Sequence, residues 1–271
     1  MEIKKKYVAY LALAACLVAA VLGLLFYYGD RVAEYTWQKY RNPELSLFFV
    51  RKDADLALFI GNYCFNGVIG AGDYNPGLAE RAYEKAVSIE PNIMMGHYEL
   101  ARVYFMQADF SRALDEINKE LENYPTNLRS LYVRGLIYAY AGNLLLAEED
   151  FTKFIGWAPQ EWAGYNDLAW VLEKEGKYKQ AESELEIGLN KAHDATNNPW
   201  LWNSLGVAQL NLKEYADAKK SFTEALSLAD KITSEEWAAS YPGNDPATAN
   251  DGLDAFKNAI KDNISKAESF M

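Results

Sequence analysis

Histidine and cysteine are nearly absent: the chain holds two of each, His97, His193, Cys16 and Cys64. Neither histidine has a second histidine or a cysteine at ligand spacing, which leaves a zinc site without donors. No serine–histidine–acid or cysteine–histidine set can be assembled, so nucleophilic catalysis lacks its parts. No intramolecular disulfide is expected, because Cys16 falls inside an apolar run. Gly70-Ala-Gly72 is not followed by the Gly-Lys-Ser/Thr of a phosphate loop. Asn250-Asp-Gly252 resembles a calcium loop only superficially, since Ala247 and Ala249 fall where carboxylates belong. Basic charge is also short: 27 Lys and Arg against 38 Asp and Glu give a net charge of −11 and a pI near 4.8. Nucleic-acid binding needs a basic footprint and is excluded. Acidic runs such as Glu148-Glu149-Asp150 read as a solvated helix face. The expected inventory is no catalytic residue, no metal and no cofactor.

Charge is missing altogether from Tyr7 to Tyr28, twenty-two residues that follow Lys4-Lys5-Lys6. About 20 apolar residues cross a hydrocarbon core, whereas the apolar core of a cleaved signal peptide is only about 7–15 residues long. The run therefore reads as a retained signal-anchor, a transmembrane helix with Tyr7, Tyr10, Phe26, Tyr27 and Tyr28 at its interfaces. Leu13-Ala14-Ala15-Cys16 has the order of a bacterial lipobox. Apolar sequence nevertheless runs on past Cys16, where lipoproteins turn polar, so Cys16 reads as a membrane-buried cysteine. Lys4, Lys5 and Lys6 oppose Arg31, Lys39 and Arg41 across the span, and the first cluster is undiluted by acids. That asymmetry places the N-terminus in the cytoplasm and the rest of the chain on the extracytoplasmic side, periplasmic or at the cell surface.

Beyond the span a beat emerges. Pro91, Pro125 and Pro159 stand 34 residues apart, and the residues between them repeat in kind. In 128–161, Leu131, Gly135 and Tyr138 share one helical face, and Ala147, Phe151 and Phe154 share another. Gly142-Asn143 supplies the turn between them, and Pro159 closes the unit. A fixed period of this length marks a solenoid, whose units bury their apolar faces only by stacking.

These residues resemble the tetratricopeptide repeat, a helix–turn–helix with the signature W-x2-L-G-x2-Y…A-x3-F…P. The matching sets are Leu100, Ala101, Tyr104, Ala113, Ile117 and Pro125; Tyr165, Leu168, Ala169, Leu172, Ala181, Leu185 and Gly188; and Trp202, Leu205, Gly206, Ala218, Phe222 and Ala225. A first unit reads Ala57, Ile60, Gly61, Cys64, Ala79, Tyr83, Ala86 and Pro91, with a long turn over 66–77 and Cys64 as a core residue. The implied fold is all-α: a right-handed superhelical solenoid of helix–turn–helix repeats with an N-terminal transmembrane helix. The expected division is a flank and anchor over 1–29, a juxtamembrane helix and linker over 30–52, and five repeats over 53–232. Those repeats run over about 57–91, 94–127, 128–161, 162–195 and 199–232. Residues 233–271 form a degenerate repeat or capping helix, with Ser234 capping a short helix, Asp245 and Pro246 opening a longer one, and Leu253, Phe256, Ile260, Ile264 and Ala267 on its stripe. Asp30–Arg41 should continue the anchor helix until Asn42-Pro43 breaks it. Leu45–Val50 either packs under the first repeat or lies at the membrane surface.

The resemblance further implies a concave groove lined by the first helix of each repeat. The groove positions are Met95, Tyr98, Arg102 and Phe105; Arg129, Tyr132, Leu136 and Tyr140; Ala163, Asn166, Trp170 and Glu173; and Trp200, Asn203 and Val207. Of these, Tyr98, Arg102, Phe105, Arg129, Tyr132, Tyr140, Asn166, Trp170, Trp200 and Asn203 are the expected partner-binding residues, unless their rings pack between repeats. The lysines of a carboxylate clamp are missing. The implied function is a non-catalytic, membrane-anchored interaction scaffold for a protein or peptide partner, an accessory subunit of an envelope, secretion or pilus-type assembly. Alternatives are a chaperone-like receptor for unfolded or nascent segments at the membrane, or a regulatory subunit of a membrane enzyme. The oligomeric state, homo- or hetero-, is open.

Overall fold

The computed structural model describes residues 2–65, 74–240 and 249–271, which contain helices and connections and no strand. The turn expected at 66–77 lies outside them up to residue 73, as do the chain break at 241–246 and the Asp245–Pro246 helix start. Two units divide the chain, residues 1–96 and 97–271.

In the first unit, α1 (Glu2–Tyr40) runs through the apolar stretch and on into the polar one. Leu13, Leu17, Val21 and Leu24 are all more than half exposed along it. Among the described residues no single helix is long and apolar enough to cross a membrane; Leu13–Val21 and Phe26–Tyr40, bent by 48°, meet that length and composition together. The helix stops where Arg41 turns to φ +48. Asn42 then caps α2 (Pro43–Phe49) by accepting from the Leu45 N–H at 2.9 Å, with Pro43 at the first position, where a missing N–H costs nothing. Helix α2 resolves the ambiguity over Leu45–Val50 by dividing it. Ser46, Leu47 and Val50 are buried, whereas Leu45 and Phe48 face outward. The Ser46 hydroxyl shares a 2.9 Å hydrogen bond with that of Thr36 on α1. Trp37 meets Phe59 and Tyr63 of α3 (Ala54–Phe65) edge-on. Helix α4 (Pro76–Ile89), capped by Asn75, completes the first hairpin, with Cys64 fully buried.

The second unit continues with α5 (Gly96–Met106), α6 (Phe110–Asn123), α7 (Leu128–Tyr140), α8 (Leu144–Trp157), α9 (Trp162–Lys174), α10 (Tyr178–Lys191), α11 (Pro199–Asn211) and α12 (Tyr215–Ala229). Four hairpin turns each place one residue in left-handed backbone: Ala108, Gly142, Gly176 and Lys213. Glycine does so without strain, while Ala108 and Lys213 carry a Cβ there at a cost of about 1 kcal/mol. A short 3-10 turn over Ala195–Asn197 takes up the extra length before α11.

Within a hairpin the helices approach because a glycine faces an aromatic ring. A Cβ on Gly135 would stand 2.8 Å from the Phe151 ring, and Gly206 and Phe222 repeat the arrangement at 2.6 Å. Between hairpins, α8 packs on α9 and α10 on α11, while the first helices α7, α9 and α11 also touch. A continuous core runs through Leu136, Phe151, Tyr165, Leu185 and Leu201. A separate cluster joins α12 to α14 (Ala249–Ser269), where Ile260 and Ala267 bury with Phe222 and Ala225. Thr233, not Ser234, caps the short α13 (Ser234–Ala239), in a reciprocal capping box with Glu236. Asp150 also departs from the expected solvated face. It is 2% exposed and holds Arg134 in a two-pronged ion pair, Nε to Oδ2 at 2.7 Å and Nη2 to Oδ1 at 2.8 Å.

Two substitutions test this packing. Gly135→Leu should destabilise by about 1–3 kcal/mol in thermal melts, because the Phe151 ring has no room to retreat. Asp150→Ala should cost about 1–3 kcal/mol in the same melts, because the half-buried Arg134 guanidinium, also bonded to Asn118, loses its carboxylate.

Candidate functional site

The first helices of the hairpins present a common face, and the structure sorts the expected groove residues on it into three groups. Tyr98 and Leu136 are packing residues, 7% and 1% exposed. Arg102 is tied to Glu99 at 2.7 Å and lies over the Tyr98 ring. Arg129 and Tyr140 are open to solvent. The remaining residues are half-buried, and Phe105, Tyr132, Asn166, Trp170 and Trp200 among them are linked across helices.

Those links form two arrays. The first is aromatic: Phe105 meets Tyr140 edge-on at 5.2 Å, and Tyr140 lies 5.2 Å from Trp170, over which the Lys174 ammonium sits at 5.6 Å. The second is polar. The Tyr132 hydroxyl donates to Asp167 Oδ2 at 2.5 Å, and the Asn166 amide donates to Asp167 Oδ1 at 3.0 Å. The Ser204 hydroxyl in turn donates to Asn166 Oδ1 at 2.8 Å. This ladder crosses α7, α9 and α11. Tyr132 also packs on Phe151 and Phe154, so it supports the face from beneath. Trp200 is likewise engaged, stacked on Trp162 at 5.4 Å and against Trp237 and Phe256 at the capping end. Beside that stack lies a cavity of about 590 Å³ lined by Trp162, His193, Asn198, Trp200 and Lys231.

Acidic groups give the face its electrostatic character. Burial pushes the Asp167 carboxyl up to about 6, against the opposing pull of its bonds from Tyr132 and Asn166. Burial likewise pushes Glu173 up to about 8, with Lys174 opposing only weakly. Glu173 Oε1 and Asn203 Oδ1 are shielded from solvent and meet no donor among the described residues. Shielded acceptors without donors are costly in a folded chain. They can be satisfied by N–H groups brought by a second molecule. Asp167 escaped attention in the sequence because its position beside Asn166 coincides with the packing register; only the fold brings Tyr132 to it. Trp162 and Trp237 were legible only as isolated aromatics.

A stack of helical hairpins with a shared aromatic and polar face on the first helices defines a helical-repeat docking protein. Tetratricopeptide-repeat models match residues 74–127, 128–161 and 201–232, so the chain carries tetratricopeptide repeats. Such repeats serve as protein-interaction scaffolds and are typically non-catalytic. MamA 41-end from Desulfovibrio magneticus RS-1 is similar with a TM-score of 0.56 and 18% identity, over 66% of this chain and 97% of that one. YrrB, described as a tetratricopeptide-repeat protein with an unusual peptide-binding site, gives 0.52 and 14% over 73% and 93%. At these identities the likeness is one of fold. In sequence, "Essential for maintenance of the cell wall protein 1" of Saccharomyces cerevisiae is 23% identical over 163 residues, 59% of this chain and 18% of that protein. The chain spans between 18% and 26% of the length of the curated relatives it matches.

The raised acids carry a pH signature. A carboxyl whose folded pKa exceeds its unfolded value stabilises below the unfolded pKa and loses that contribution as pH rises through the folded one. Glu173→Gln should therefore melt like the parent near pH 4 and gain roughly 1–3 kcal/mol by pH 9, measured by melts across that range.

Proposed function

We propose that the chain is a non-catalytic docking protein, anchored in a membrane by α1, that receives a peptide or protein segment along the first helices of its second unit. The shielded acceptors Glu173 Oε1 and Asn203 Oδ1 carry this reading, because they lie on α9 and α11, in the same row of first helices as α7 with its open Tyr140 ring and Arg129. A segment supplying backbone N–H groups or a basic side chain would satisfy them, and an ionised Glu173 would then become favourable. Tyr140, Trp170 and Arg129 provide rigid apolar area and a charge, the features that dominate binding hot spots. Docking of this kind asks little of the backbone, while side chains over the shielded acceptors change rotamer to admit the partner.

The exposed apolar side chains of α1 support the anchor, and the lysine cluster before them supports an N-terminus in the cytoplasm with the repeats outside it. In that setting the protein would serve as an accessory subunit of an envelope, secretion or pilus-type assembly. Confinement near the membrane raises its effective concentration for membrane-bound partners.

A photo-crosslinking residue in place of Tyr140, compared in cells with one in place of Lys153 on a second helix, tests the docking face. Discrete adducts from position 140 that disappear with Arg129→Ala are expected. Adducts from position 153 alone, or from neither, would overturn the assignment. Topology is read separately. A cysteine at the exposed Asn190, in a Cys16→Ser background, should react with a membrane-impermeant thiol reagent in intact cells. Reaction only after lysis would place the repeats in the cytoplasm.

A further inference from the structure

The exit of the apolar stretch of α1 does not run free into solvent. Gly29 is buried because the α2–α3 corner crosses directly over it. A Cβ there would lie 2.6 Å from the Phe49 carbonyl oxygen and 2.7 Å from Arg51 Cγ. One residue on, the Asp30 carboxylate gathers the backbone N–H groups of Arg51, Lys52 and Asp53 at 2.7, 3.1 and 3.3 Å. Burial alone would raise this carboxyl, but the three N–H donors carry it below its ordinary range, so the clamp is ionised and fixed. The corner Phe48–Asp53 is thus held within one turn of the end of the apolar run.

That corner combines two features. Phe26, Tyr27 and Phe48 are all more than half exposed. Cations stand directly over the rings: Arg31 over Tyr28, Arg51 over Phe48 and Lys52 over Phe26, at 5.7–6.0 Å. Burial, and next the Arg51 charge, hold the Lys85 ammonium below its usual range, against the opposing pull of Asp30. Asp30 and Asp53 accept from backbone N–H groups and Glu44 is paired with Arg81, so acids also stand at this corner, while Arg31, Arg51 and Lys52 lie over its rings.

Resting on the reading of α1 as a membrane anchor, we infer that Arg31, Arg51 and Lys52 form a collar for the phosphates of anionic phospholipids, with Phe26, Tyr27 and Phe48 set at the membrane interface. Aromatic rings favour that depth, and long basic side chains reach from it to the headgroups. Juxtamembrane cations are drawn to anionic lipid, and the effect is screened within a Debye length. The collar and the Asp30 clamp together fix the angle at which the first hairpin leaves the membrane.

The test uses the full chain with Cys16→Ser, reconstituted in vesicles of phosphatidylcholine with or without phosphatidylglycerol. A bimane label is placed at Phe48→Cys or, as a control within the span, at Leu17→Cys; Cys64 is buried and does not compete. Quenching is read with headgroup-level nitroxide lipid, acyl-chain nitroxide lipid and aqueous iodide. The collar requires that the label at 48 be quenched by headgroup nitroxide and shielded from iodide. Phosphatidylglycerol should strengthen both effects, and that gain should be lost in Arg31→Gln with Lys52→Gln, both exposed positions. Iodide access at 48 equal to that in detergent, with acyl-chain quenching intact at 17, would overturn the collar and leave the anchor standing. A phosphatidylglycerol gain that survives the double substitution would overturn the role of the basic residues. Loss of lipid quenching at 17 would overturn the anchor, and the collar with it.

Discussion

A glycine against an aromatic ring is the contact on which most of the hairpins depend. Where Gly135 faces Phe151, and Gly206 faces Phe222, the ring occupies the space a Cβ would need. The first helix can then lie close on the second, and the ring fills the gap at interior density. Close approach in turn sets the tilt of the hairpin, which decides where the next first helix can pack. Gly188 and Tyr165 repeat the device within the α9–α10 hairpin, and it also works between hairpins, where Gly164 of α9 admits Phe154 of α8. Small residues thus form a series of sockets, and the stack follows from filling them. A solenoid built this way has no single centre. Its stability is close to a sum over neighbours, and its last hairpin needs a partner, which α14 supplies by burying Ile260 on α12.

The hairpins were legible because the socket and its ring are both encoded locally, at fixed offsets within one period. Gly135, Ala147 and Phe151 announce the packing without reference to anything outside 128–161. The turns were legible for the same reason where glycine marked them, at Gly142 and Gly176. Ala108 and Lys213 adopt the same left-handed backbone without a signal, because the hairpin imposes it. What the sequence hid was pairing across periods. Asp150 looked like one of three solvated acids until Arg134, sixteen residues earlier, was found against it. Tyr132 looked like a groove ring until the next hairpin brought Asp167 to its hydroxyl, thirty-five residues away. A period of 34 fixes which helix faces which, but not which polar atoms meet.

The distribution of polar groups then separates scaffold from site. Between the helices of a hairpin, buried polar groups are matched: Asp150 with Arg134, and Gln209 with Ser221. On the first helices some are matched, as Asp167 is by Tyr132 and Asn166, and some are not. Ser130, Glu173 and Asn203 each carry a shielded oxygen that meets no donor among the described residues, and all three lie on α7, α9 or α11. A folded chain tolerates such atoms only where something other than its own stability is served. Apolar replacements would be free of the desolvation cost, and the neighbouring rings show that apolar side chains fit there. The unmatched oxygens therefore trace the line along which a second molecule's N–H groups would complete the hydrogen bonding. That line runs beside the open ring of Tyr140 and the half-buried ring of Trp170.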